Sequence, residues 1–256
     1  MFGSIAGDVI GSHFESHPTK AVGFPLYGER CRFTDDTVLT VAIAHAILRK
    51  EQYAASLRRY GQKYPDRGYG SNFYCWMFNE ANGPYSSWGN GSAMRVSPVG
   101  FAFDSVDAVL REAEKSASVT HDHPEGIKGA QAVALAVFLA RTGTSKDRIR
   151  TEISDRFDYD LVRTLDEIRP RYCFDISCQG SVPEAIIAFL ESSDVEDAIR
   201  KAVSLGGDSD TMGCIAGGIA QAFYGTVPRE MVSAVRRYLT EELLATVDEF
   251  NAVYGL

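Results

Sequence analysis

The sequence predicts an all-α protein folded as one compact domain over residues 1–256, and three observations carry that expectation. Apolar residues recur with a helical period almost throughout, whereas the period-two runs that mark strands are scarce. Cap and stop residues fall where those helical runs begin and end. No low-complexity linker, block of like charge or internal repeat of fixed period divides the chain, and 256 residues suffice for a single large core.

Taken in order, Gly7 and Gly11 stand in a helical register that lets two helix backbones approach closely, and Glu15 follows at the start of a loop. The stretch from Phe14 to Phe33 lacks periodicity and reads as a long loop. Thr34-Asp35-Asp36 then precedes a helix whose Val38, Val41, Ala42 and Ala46 share one face. A second long loop, rich in Gly, Asn, Ser and Tyr, is expected from Gly68 to Asn90; such loops in compact domains often carry function. Ser105 opens an amphipathic run to about Ser116. Ile127 to Arg141 is apolar nearly all round, so this helix should be buried on most sides, ending at Gly143, with Thr144-Ser145 capping the next.

Ser181-Val182-Pro183-Glu184 has the form of a capping box with proline in the first turn, opening a helix from Ala185 to Leu190. Asp194 caps a helix that ends near Gly206-Gly207. Met212 to Tyr224 carries Gly213, Gly217 and Gly218, which weaken a helix unless neighbouring backbone packs against it. Thr240 to Tyr254 forms the last helix.

Composition narrows the functional classes. A net charge of −8 opposes general nucleic-acid binding or attraction to an anionic membrane, while leaving room for a nucleotide at one local site. No signal peptide and no segment long enough to span a bilayer is visible, so a cytoplasmic location is expected. The five cysteines are scattered without a C-x-x-C pair, which argues against zinc and for buried thiols.

Two acidic clusters are the strongest chemical signal: Thr34-Asp35-Asp36 and Asp208-Ser209-Asp210-Thr211, each just ahead of an apolar helix. Asp and Thr are good helix caps, and one such cluster alone would be read as a cap. A cap, however, needs one oxygen, and each cluster offers two carboxylates and a hydroxyl. Were they to converge, each pair of charges 4 Å apart would repel by about 4 kcal/mol at an effective dielectric of ~20. Divalent cations would cancel that repulsion. An all-oxygen donor set suits hard ions such as Mg²⁺ or Mn²⁺.

Three further segments carry candidate chemistry. Trp88-Gly89-Asn90-Gly91-Ser92-Ala93-Met94-Arg95 is a Gly-rich turn whose free amides can cradle phosphate, with an aromatic beside it; ordinary loop structure is the simpler reading. Glu15 taken alone is a solvated surface charge. In Thr120-His121-Asp122-His123-Pro124 the histidines fit core or capping roles as well as a His-Asp metal phosphohydrolase, whose remaining ligands His13, His17 and His45 do not obviously supply.

In order along nearly the whole chain, six segments resemble the ADP-ribosylglycohydrolase family. They are Gly7-Asp8 through Gly11 and Glu15; Thr34-Asp35-Asp36-Thr37; Gly89 to Arg95; Thr120-His121; Ser181 to Ala185; and Gly206-Gly207-Asp208-Ser209-Asp210-Thr211. The resemblance implies an orthogonal all-helical fold with two divalent cations, Mg²⁺ or Mn²⁺, at loops and helix N-termini. It implies Thr34, Asp35, Asp36, Asp208, Asp210 and Thr211 as metal ligands. It implies Asn90, Gly91, Ser92 and Met94, with Gly89, as a pyrophosphate loop, Trp88 near the adenosine, and His121 in contact with the ligand. Glu15 matches a glutamate that several members carry on a mobile loop near the scissile bond.

The activity implied is hydrolysis at C1″ of ADP-ribose attached to a protein side chain or a small acceptor, with Glu15, Asp35 and Asp208 as catalytic carboxylates and the protein acting as a monomer. Two other classes fit parts of the pattern: a non-catalytic ADP-ribose-binding protein and a metal-dependent nucleotide phosphohydrolase. Tyr64 to Tyr85 matches no pattern, and such loops choose the acceptor.

Overall fold

A computed structural model describes all 256 residues. It is helical without a β-sheet; the lone extended pairing is an antiparallel bridge between Gly89 and Ser177. Helix α1 (Phe2–Gly11) is followed by a long loop and then α2 (Asp35–Arg49), α3 (Tyr53–Lys63) and α4 (Ser71–Phe78). Two short helices, α5 (Gly91–Met94) and α6 (Ser97–Ala102), lead to α7 (Val106–Ser118) and the long α8 (Pro124–Arg141). Then come α9 (Lys146–Phe157), the one-turn α10 (Leu165–Ile168), α11 (Cys178–Leu190), α12 (Val195–Val203), α13 (Ser209–Tyr224), α14 (Arg229–Arg236) and α15 (Glu241–Tyr254). No helix is long and apolar enough to cross a membrane.

The centre is the pair α1 and α13. Every residue of α1 is buried, as is α13 from Ser209 to Ala222, and α13 also packs against α8, α11 and α12. Their closeness explains the glycines. A Cβ placed on Gly7 would strike the Gly213 backbone, and one on Gly3 would strike that of Gly217. Each glycine costs a helix roughly 0.5–1 kcal/mol relative to alanine. Main-chain contact along two helices offsets that loss through dispersion at full packing density. Functionally, the approach sets Asp8 of α1 beside the first turn of α13.

Several caps follow the sequence. Ser105 accepts from the Ala108 amide, Ser145 from Arg148, Asp194 from Asp197 and Thr240 from Leu243. The helix over Ile127–Arg141 starts slightly earlier, with His123 as its cap and Pro124 at its first position.

Three expectations are corrected. Ser181 does not open a helix: α11 begins at Cys178, where Ser177 accepts from the Gly180 amide and is itself held through Asp175, so Pro183 sits inside the helix. An equally good cap four residues earlier won, and the Ser181 hydroxyl instead donates to the Ser177 carbonyl at 2.7 Å. The loop from Gly68 to Asn90 contains α4, because Phe73, Trp76 and Met77 share one face and bury it. Cys75 and Cys173 are exposed, while Cys31, Cys178 and Cys214 are the buried thiols.

A candidate cation and ligand site

The two acidic clusters do meet, and a third acid joins them. Asp8 is wholly buried on α1. Its Oδ2 accepts from the Thr34 and Thr37 amides at 3.0 and 3.1 Å and from the Thr37 hydroxyl, while its Oδ1 accepts from the Thr34 hydroxyl at 2.7 Å. This carboxylate therefore pins the start of α2 to α1. Thr34 is also the genuine N-cap of α2, accepting from the Asp36 amide at 3.2 Å. Asp208, by contrast, precedes α13 without capping it; its carboxylate accepts from the Asn90 side-chain amide at 2.8 Å.

Carboxylate oxygens converge in two trios, each within 4.8 Å: Asp8, Asp36 and Asp210, and Glu15, Asp208 and Asp210. Asp210 belongs to both. The hydroxyls of Thr34 and Thr211 each lie 3.4 Å from Asp36 Oδ2, so they do flank the carboxylates. Asp36 Oδ1 is buried and has no hydrogen-bond partner. Asp35 lines the same cleft, with its amide donating to the Arg67 carbonyl, but it belongs to neither trio.

Burial raises all these carboxyls above their ordinary value. For Asp36 the burial is reinforced by the charges of Asp8 and Asp35, and for Asp210 by those of Asp208 and Asp36. Asp35 is likewise pushed well up by burial and then by Asp8. Glu15 stands on the solvent side; loss of hydration and then the charge of Asp208 push it up, with Arg32 opposing. So many acids buried within reach of one another repel, and their charged forms are disfavoured.

The cleft has a volume of about 310 Å³ and continues from these acids onto the Gly-rich turn. The turn is fastened at its edge: Asn90 donates to the Ile176 carbonyl at 2.8 Å, and Cys178 donates to that of Trp88 at 3.0 Å. The Asn90 side chain ties the turn to Ser181 and Asp208. His121 is buried behind it, with Nδ1 2.7 Å from the Thr120 hydroxyl. A Cβ on Gly91 would lie 3.1 Å from His121 Nε2.

The sequence-predicted residues fall into three groups. Glu15, Asp35, Asp36, Asp208, Asp210, Thr211, Gly89, Asn90, Gly91, Met94 and His121 all line the cleft. Thr34 and Ser92 lie beneath it: the Thr34 hydroxyl is engaged with Asp8, and the Ser92 hydroxyl donates to the Gly126 carbonyl at 2.7 Å. Trp88 is 47% exposed and is not part of the lining.

Sequence reasoning gave no site role to Asp8 or Arg95, and it missed the lining residues Phe174 and Ile176. Asp8 had a signal, since a carboxylate in a helix that is apolar on all faces needs a partner. Phe174 and Ile176 had none, being isolated apolar residues on a loop.

Similarity to known proteins extends over nearly the whole chain. The model of the family described as ADP-ribosylglycohydrolase matches residues 1–255. ADP-ribosylhydrolase ARH3 of Homo sapiens is 29% identical, covering 96% of this chain and 90% of its own length. Over 66% of this chain and 50% of its own length, ADP-ribosylarginine hydrolase Tri1 of Pseudomonas putida (strain GB-1) is 29% identical. A solved structure described as an ADP-ribosylglycohydrolase-related protein complex superposes with a TM-score of 0.73 at 25% identity, covering 95% of this chain and 92% of its own.

Proposed function

The chain belongs to the ADP-ribosylglycohydrolase family and is a glycosidic-bond hydrolase of ADP-ribosyl groups; from that premise we propose that it acts with two divalent cations, Mg²⁺ or Mn²⁺, on the C1″ bond of ADP-ribose attached to a protein side chain or small conjugate. The observation that carries this reading is the pair of carboxylate trios sharing Asp210 at one end of a cleft whose other end is a Gly-rich turn.

The residues fit the cations. Every donor is a hard oxygen, Asp36 Oδ1 is buried without a partner, and the acids repel one another. Asp8, Asp36 and Asp210 would hold one ion and Glu15, Asp208 and Asp210 the other, with Thr211 and Asp35 at the rim. Asp8 joins the ligand set read from sequence, and Thr34, like Thr211, offers a hydroxyl 3.4 Å from Asp36 Oδ2. When bound, such ions supply Lewis acidity and hold sugar hydroxyls.

The protein's own groups account for the rest. Asn90 couples the turn to the acidic end through Asp208, so the two halves of a ligand are held in fixed relation. Glycine at 89 and 91 lets an anionic ligand approach the backbone closely. Cleavage develops positive charge at C1″, which neighbouring carboxylates stabilise. Glu15, exposed at the edge of the second trio, would take a proton from the attacking water. Asp35 and Asp208 act by orienting and charge.

The test is product analysis. ADP-ribosylated serine and arginine peptides and O-acetyl-ADP-ribose are each incubated with the protein, with Mg²⁺ or with EDTA. Free ADP-ribose released only with the cation is the expected result. AMP or phosphate instead would mark a phosphohydrolase, and full turnover in EDTA would remove the cations from the reaction.

A further inference from the structure

Behind the Gly-rich turn lies a buried polar chain that the reaction scheme above leaves unused. Arg95 is wholly buried, and its Nη2 donates to the Ser116 carbonyl at 3.0 Å and to the Thr120 hydroxyl at 2.8 Å. Thr120 is wholly buried as well, and its oxygen lies 2.7 Å from His121 Nδ1. The far side of the imidazole faces the turn. A Cβ on Gly91 would sit 3.1 Å from Nε2 and one on Gly89 3.8 Å away.

Proton counting along this chain has one economical solution. A guanidinium only donates, so the Thr120 oxygen accepts from Arg95. The hydroxyl has one proton to give; His121 Nδ1 at 2.7 Å is its short contact, and the Tyr85 hydroxyl also reaches the Thr120 side chain. If Nδ1 carried the ring proton instead, the Thr120 oxygen would accept from two donors and its own proton would be left to the weaker contact with the Tyr85 hydroxyl rather than to the short one at Nδ1. A neutral ring that accepts at Nδ1 carries its proton on Nε2. The ring also stays neutral, since burial and then the charge of Arg95 hold His121 well below the usual imidazole range.

We infer that Arg95 and Thr120 are positioning residues that hold His121 as the Nε2–H tautomer, a neutral donor aimed across Gly89–Gly91 at an anionic oxygen of the bound ligand. The identity of that oxygen as one of the ADP-ribose pyrophosphate rests on the proposed function; the tautomer does not. Glycine at position 91 is part of the device, because any side chain there would cover Nε2. The donor carries no titrating charge, so its grip on phosphate persists at neutral pH. A ligand presenting a hydrogen-bond donor at this point would be rejected.

The test is imidazole ¹H–¹⁵N correlation on the full-length protein labelled at histidine, with the His121 signals assigned by their loss in His121→Gln. Wild type and Thr120→Ser should show Nε2 protonated and Nδ1 bare; Thr120→Val should show a tautomer mixture. Adding ADP-ribose, and separately inorganic pyrophosphate, should shift the Nε2–H signal. The Kd for ADP-ribose should weaken by roughly tenfold in Thr120→Val, the worth of one hydrogen bond to a charged acceptor, and recover in Thr120→Ser.

A protonated Nδ1 in wild type overturns the inference, whether or not ADP-ribose binds, and needs no variant to fold. An Nε2–H ring in a protein that ignores ADP-ribose but responds to pyrophosphate upholds the relay and overturns the proposed substrate. An Nε2–H signal unmoved by either probe overturns the donor role.

Discussion

Along one wall of the cleft Asp36, Asp208 and Asp210 are buried together over Asp8, with Asp36 Oδ1 lacking any partner; along the other, Arg95 is buried with Nε and Nη1 lacking theirs. The walls are incomplete in opposite senses. Burial pushes the carboxyls up on the first and the Arg95 guanidinium down to about 10 on the second. Buried charge without a counter-charge is destabilising unless something supplies one. The acidic wall calls for cations and the other for an anion. Under the proposed function, bound cations meet the first demand and hold sugar hydroxyls, the ligand's phosphates meet the second, and Asn90 ties the turn to the acidic wall through Asp208.

The largest blow to this division should come from the shared acid. Asp210→Ala removes an oxygen from both trios, so kcat should fall by more than the roughly 10–100-fold typical of losing a residue behind a metal ligand. Asp8→Asn touches one trio and should cost less; equal losses in steady-state assays would deny that Asp210 is shared.

Next comes the packing that assembles the acidic wall. Gly213→Leu forces α1 from α13 and should destabilise the protein by about 3 kcal/mol, read by denaturant titration. Its apparent Mg²⁺ affinity should fall as well, because Asp8 would part from Asp210. Unchanged affinity would show that the first trio is not needed.

A smaller effect is expected from pH. The acidic-wall carboxyls lie above their ordinary value of about 4 when folded. Between that value and the raised ones, the folded protein keeps protons that the unfolded chain has released, so stability falls as pH rises through this window. A sample stripped with EDTA should melt higher near pH 5 than near pH 8, and saturating Mg²⁺ should flatten the slope. His121 opposes this trend: burial holds it well below the usual imidazole range, so below about 6.5 the unfolded chain binds a proton that the folded protein refuses, and this lowers stability toward pH 5. The smallest change belongs to Trp88→Ala: the exposed indole lies off the cleft lining, so ADP-ribose affinity should move less than about threefold. A tenfold loss by calorimetry would return the indole to the ligand.

Much of the scaffold was legible in one dimension. The helical period, and the caps Ser105, Ser145, Asp194 and Thr240, are local properties of a few neighbouring residues. The glycines of α1 and α13 announced a close approach, though not with which partner. The misreadings were competitions between local options: Ser177 against Ser181 as a cap, and the apolar face of α4 against the loop-like composition around it.

For the site, the sequence by itself determined the chemistry: two acidic clusters with hydroxyls, a Gly-rich turn, and an order of segments that identifies the family. Tertiary structure decided the membership. It brought in Asp8 because two glycine-faced helices touch, set the Thr34 hydroxyl between Asp8 and Asp36, left Trp88 off the cleft lining, and threaded Arg95 through Thr120 to His121. The reason is physical: helix formation and capping are satisfied within a turn or two of chain, whereas a carboxylate's neighbours depend on which backbones can approach, and that is settled only when the whole core packs.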